Sequence, residues 1–223
     1  VDGLSVSSRA AVKDLGVIID PSLSFETHID NITRIAFFHL RNIAKIRNLM
    51  LLHAAEKLGH AVVTSRLDYC NALLSGCSNK CINKLQLVQN GAARVLTRTR
   101  KYDHITPVLS TLHWLPIKFS RIKFKTLVLA YQAVKGSGPV YLQRLIRPYS
   151  PARSLCSTTT GCLGPPPLCS YPARSRLLSV LAPYWWNDLP IEVRTADSLT
   201  TFKCRLKTHL FRLHFSPASL PTL

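Results

Sequence analysis

The sequence predicts a mainly α protein, in which a helical bundle follows one short N-terminal strand and precedes a proline-rich linker and a small helical extension. Three observations carry this prediction. Apolar residues recur in steps of three and four over most of the chain, the spacing of amphipathic helices. A β-branched run of the kind that suits an extended segment is confined to one early stretch. The 223 residues are 47% hydrophobic and 18% charged, with a mean hydropathy of +0.11, so the chain can bury a sizeable core, unlike a disordered basic tail.

Taken in order, Val12 to Asp20 (VKDLGVIID) is predicted to be the strand, closed by the turn dipeptide Asp20-Pro21. A first helix starts near Ser24, with Ile29, Ile32, Ala36, Leu40, Ile43 and Arg47 in steps of three and four and Arg34, Arg41, Lys45 and Arg47 on or beside the polar side. A second helix covers about Ala54 to Leu67 and a third about Asn79 to Thr97, whose apolar stripe is Ile82, Leu85, Gln89, Ala92 and Leu96. The third ends in the positive run TRTRK, Thr97 to Lys101. Ile105 to Leu112 forms a short helix that stops before HWLP, since a proline restricts the residue before it. Phe119 to Val134 is helical, with Gly136 and Gly138 as its stop, and Pro139 opens another short helix. From Ser150 to Pro172 proline, serine, threonine and glycine dominate, periodicity is lost, and an exposed linker is expected. LAPYWWNDLP (Leu181 to Pro190) then supplies an apolar anchor, and a last helix begins at the N-cap Ser198 with Leu199, Phe202, Leu206, Leu210 and Leu213 on one side. The expected divisions are 1–23, 24–149, a linker 150–172, an extension 173–214 and a tail 215–223.

Lysine and arginine number 29 against 11 aspartate and glutamate, a formal charge of +18 and a pI near 10.1. An acidic partner is expected, nucleic acid first and an anionic membrane surface second. No apolar run approaches the ~18 residues of a spanning helix, which excludes a transmembrane segment. The start at Val1, without Met, basic n-region or apolar h-region, suggests a piece of a longer chain and no secretory signal. The seven cysteines are an odd number, which favours reduced thiols and a nuclear or cytoplasmic location over a secreted disulfide framework.

Several segments together carry a family resemblance. VKDLGVIIDPSLSF, SRLDYCNALLSG from Ser65, KLQLVQNGAARVLTRTRKYDHITPVLSTLHWLPI from Lys84, LAPYWWNDLP and FKCRLKTHLF, in this order and spacing, resemble the carboxyl-terminal part of LINE-type, non-LTR retrotransposon reverse transcriptases. The resemblance implies that residues 1–23 are an edge of the polymerase palm, 24–149 a helical thumb that grips template and primer, and the rest a carboxyl-terminal extension. It also implies that the catalytic parts lie upstream. Polymerisation with two metal ions needs clustered carboxylates, and this sequence has no adjacent acidic pair. The chain alone is therefore expected to be noncatalytic and to hold no cofactor, with the missing palm as an intramolecular partner.

The candidate binding residues are Arg94, Arg98, Arg100 and Lys101, joined by Arg121, Lys123 and Lys125. Long cations on rigid elements suit phosphate contacts, without direct reading of bases. Tyr102, His104, His113 and Trp114 lie beside them; a base could stack on Tyr102 or Trp114, but structural turns and core suit the HITP and HWLP context better. Trp185 and Trp186 are expected to anchor core or an interface. Cys70, Cys77 and Cys81 (C-x6-C-x3-C) and Cys156, Cys162 and Cys169 (C-x5-C-x6-C) match no common zinc spacing. His28-Ile29-Asp30 has the H-x-D form of an oxygenase iron site, which also needs a distal histidine, a cosubstrate arginine and a jelly-roll of strands, whereas this region reads as helix and the chain shows one strand; no G-x-S-x-G nucleophile motif occurs. The expected function is a noncatalytic nucleic-acid-binding fragment. The alternatives are a decayed retroelement product without selected activity, or an interaction module in which YWWN and the last helix dock a partner.

Overall fold

A computed structural model describes residues 11–149, 161–164 and 178–215. The fold is mainly helical, as expected. The single expected strand is instead a hairpin, β1 (Val12–Asp14) paired antiparallel with β2 (Val17–Ile19). Leu15 and Gly16 make its turn, with φ of 44° and 84°. Two consecutive residues at positive φ match the twist of the flanking strands, and the Tyr69 hydroxyl donates to the Leu15 carbonyl at 2.6 Å. That bond helps hold a leucine in a conformation that normally favours glycine.

The next helices follow the apolar spacing. α1 (Glu26–Ile46) buries Ile29, Ile32, Ala36, Leu40 and Ile43. The second expected helix is broken in character: α2 (Leu52–Gly59) and α3 (Ser65–Asp68) are joined by a π-helical turn at His60–Thr64. α4 (Asn79–Thr97) has the expected bounds and is capped by the Ser78 hydroxyl, which accepts from the Cys81 amide at 3.4 Å. Its Leu85, Val88, Ala92 and Leu96 meet the α1 stripe in a first core, which also takes in Val63, Leu109 and Trp114. α5 (Ile105–Thr111) leads through His113, at φ 53°, to a second π-helical turn, Ile117–Arg121, and then α6 (Ile122–Val134).

α6 links two cores. Ile122 belongs to the first, whereas Leu127, Ala130 and Tyr131 belong to a second, built with α8 (Leu178–Asn187) and α10 (Leu199–Phe215). α7 (Val140–Leu145) and α9 (Ile191–Arg194) complete the described helices. In the second core Phe202 stacks on Tyr131 at 4.3 Å and on Trp186 at 5.6 Å between ring centroids. The Tyr131 hydroxyl donates to the Ala196 carbonyl at 2.8 Å, so the ring packs while its polar end is satisfied. Ser198 caps α10 as expected, accepting from the Thr201 amide at 3.1 Å.

The described part of the extension, from Leu178, packs on α6 through α8 and α10. Most of the expected linker lies outside the described residues, as do Cys156 and Cys169. Within it, Gly161 to Gly164 are held to the body: Leu163 is buried, bridges to Pro148, and shares two hydrogen bonds with the Asn187 side chain.

Candidate nucleic-acid interface

The positive run after α4 is an ordered loop, and its own cations help to order it. Arg98 takes a left-handed conformation at φ 57°, ending the helix, and its amide donates to the Arg94 carbonyl. Its guanidinium then donates to the Arg47 carbonyl at 3.1 Å. Arg94 spans the loop, Nε donating to the Arg100 carbonyl at 3.3 Å and Nη2 to the Asp103 carbonyl at 3.0 Å. The Asp103 carboxylate accepts from the Arg100 amide at 3.0 Å. Arg98 is itself exposed beyond this bond, and Arg100 and Lys101, both exposed, are displayed without a side-chain partner in the loop, followed by Tyr102.

A buried arginine that charge counting alone does not flag fixes the base of this loop. Arg47 is only 7% exposed. Its Nε and Nη2 donate to the Leu96 carbonyl at 2.9 and 2.6 Å, and Nη1 donates to the Met50 carbonyl at 2.8 Å. A cation here satisfies an orphan carbonyl of the last turn of α4 and lies at the negative end of the helix dipole. The signal was positional: Arg47 continues the stripe of Ile43, four residues on, so it points inward.

The second group of candidates divides by environment. Arg121 pairs with Asp68 at 3.2 Å and its side chain is 14% exposed, so its charge is largely committed inside the fold. Lys123 lines a cleft of about 410 Å³ with Trp185, Leu210, Leu213 and His214. Burial holds its ammonium below the ordinary lysine range, against the opposing pull of Asp188. Burial first, and then the charge of Lys123, hold the His209 imidazole below its ordinary value. Lys125 is exposed and opens, with Arg121 and Lys207 of α10, onto a different cleft of about 440 Å³. Lys207 is a cation the sequence assigns only to a helix face; its approach to Lys125 depends on α10 packing on α6.

The structure therefore brings Arg94, Arg98, Arg100 and Lys101 together at one loop and sets Arg121 and Lys125 at a cleft, with Lys123 turned to another. Trp114 is buried, its ring edge-on to His60 at 5.5 Å, and Trp186 is core, so neither is available for stacking. Tyr102 departs from the expected packing role, being 90% exposed. Among the described residues Cys70, Cys77, Cys81, Cys162 and Cys204 form no disulfide, and no three His, Cys, Asp or Glu side chains are grouped to hold a metal ion. Among the described residues no helix is long and apolar enough to cross a membrane. No protein-family model matches the chain, and neither does any curated protein or solved structure.

Proposed function

We propose that the chain is a noncatalytic nucleic-acid-binding part of a LINE-type reverse transcriptase, contacting phosphates through the loop after α4 and the cations at the start of α6. The observation that carries the reading is a charge surplus displayed on a braced scaffold. Even if every carboxylate were paired, eighteen cations would be left over, and Arg100 and Lys101 project from a loop whose backbone is already tied down. Phosphate binding draws on such fixed, unneutralised cations. Arg94 and Arg98 serve the interface by holding the loop, and Arg121 by holding α6 to α3.

The test is removal of the displayed charge without touching the braces. Arg100→Gln with Lys101→Gln should weaken binding of duplex, hybrid and single strand alike, and should lower the slope of log affinity against log salt by about 1.5, from ~0.7–0.9 for each phosphate that is no longer neutralised. Unchanged affinity and slope would overturn the proposal.

One observation favours a second reading, a part that is incomplete without a covering domain. Leu49, Leu51, Leu52 and Ile46 lie exposed around the α1–α2 junction, and Phe38 of α1 and Leu87 of α4 are also exposed. Exposed apolar side chains in such numbers favour a surface that another body covers. Aggregation of the isolated chain, relieved by charged substitutions at Leu49 and Leu51, would support it.

A further inference from the structure

We propose that the loop after α4 is a stacking platform for single-stranded nucleic acid, with Tyr102 taking the face of an unpaired base while Arg100 and Lys101 hold the adjacent phosphates. The inference rests on the phosphate-binding reading above and adds to it the class of strand that is bound.

Three features of the loop point to this role. Tyr102 is the most exposed of the large apolar side chains described and its ring touches no other ring among the described residues, whereas Trp114, Tyr131 and Trp186 are buried. Among the described residues it takes part in no hydrogen bond or ring contact. The backbone that carries it is nonetheless fixed: Arg94 spans from the Arg100 carbonyl to the Asp103 carbonyl, Asp103 closes back on the Arg100 amide, and Arg98 ties the start of the loop to Arg47. An aromatic ring on a braced loop loses little conformational freedom when a planar group settles on it. The neighbouring charges are also of the right kind. Arg100 and Lys101 precede the ring directly, and the loop's one carboxylate, Asp103, is engaged with a backbone amide. Aromatic faces beside cations bind single strands with little sequence preference, because every base offers a π-face. Paired bases in a duplex are already stacked and offer the ring no free face.

The test uses the full chain and matched RNA and DNA oligonucleotides of about ten nucleotides, within the span of such sites, carrying a 2-aminopurine, alongside the duplex of the same sequence. Tyr102→Ala should weaken single-strand affinity about five- to hundredfold and abolish 2-aminopurine quenching, and Tyr102→Phe should retain both. The salt slope and the duplex affinity of Tyr102→Ala should stay at the starting values, since every phosphate-binding cation remains in place. Equal losses on RNA and DNA mark a platform blind to the sugar; loss on one alone assigns the strand. Unaltered single-strand affinity, or an equal loss on duplex, overturns the stacking role while leaving the salt-dependent phosphate reading in place. A starting protein that binds no oligonucleotide with a salt slope overturns both.

Discussion

Replacing Arg47 by methionine tests how the charged loop is held, because the guanidinium is buried and cannot reach a ligand itself. The change removes three hydrogen bonds and leaves the carbonyls of Leu96 and Met50 without their donors. Hydrogen bonds from a charged donor contribute about 1.5–3 kcal/mol each, and a buried carbonyl left unpaired costs about 1–3 kcal/mol. The cation's position at the C-terminal end of α4 adds about 0.3–1 kcal/mol through the helix dipole. Against these stands the desolvation of the guanidinium, which methionine does not suffer and which offsets a good part of the sum. A net loss of about 3 kcal/mol follows, roughly a hundredfold in the folding equilibrium. With a urea slope of about 2–3 kcal/mol/M, the midpoint should fall by about 1 M at unchanged slope. Arg47→Lys should recover only part, since one ammonium cannot make the fork to Leu96 and still reach Met50. Oligonucleotide affinity should drop as well, because the guanidinium holds the Leu96 carbonyl at the end of α4, from which the charged loop departs. A midpoint within about 0.2 M of the starting protein would refute the reasoning that this buried cation ties α1 to the end of α4.

Two further outcomes follow from packing and protonation. Phe202→Ala, in the stack between Tyr131 and Trp186, should cost about 3–5 kcal/mol and shift tryptophan emission to the red as Trp186 becomes wet; unaltered emission would mean that the second core survives without its central ring. His28 accepts from the Ile18 amide through Nδ1 at 3.3 Å, and its burial holds the imidazole below its ordinary value. The unfolded chain therefore takes up a proton more readily as pH falls through about 6.5, so this stabilising contribution is present above that pH and lost below it. Urea midpoints should fall from neutral pH to about pH 5.5, and by less in His28→Leu, which separates His28 from the similarly depressed His209 and His214. Equal acid sensitivity in that variant would contradict the assignment.

The helical framework was legible because it depends on spacing. The bounds of α4 and the Ser198 cap of α10 follow from apolar periodicity and a single hydroxyl. The hairpin was not, because its turn is Leu15-Gly16 rather than the Asn-Gly or Asp-Gly pair that signals one locally, and the bond from Tyr69 that latches it comes from 54 residues away. The π-helical turns at His60–Thr64 and Ile117–Arg121 leave the apolar period nearly unbroken, so spacing alone does not reveal them. For the candidate interface, charge counting picks out the basic segment after α4 but not which of its cations are engaged within the fold. Arg94, Arg98 and Arg121 look like Arg100 in sequence, and only the carbonyls of Arg100, Asp103 and Arg47 and the carboxylate of Asp68 show which cations are already engaged. Tyr102 is legible as an aromatic beside cations, yet its exposure depends on where α5 starts and how the loop is braced.

The central claim is tested most directly by measuring the affinity of the full chain for an RNA:DNA hybrid by fluorescence anisotropy from about 50 to 200 mM salt, with a thermal melt on the same sample. The account predicts a cooperative melt and a log affinity that falls linearly and steeply with log salt. Binding indifferent to salt, or a chain without a cooperative transition, would contradict it.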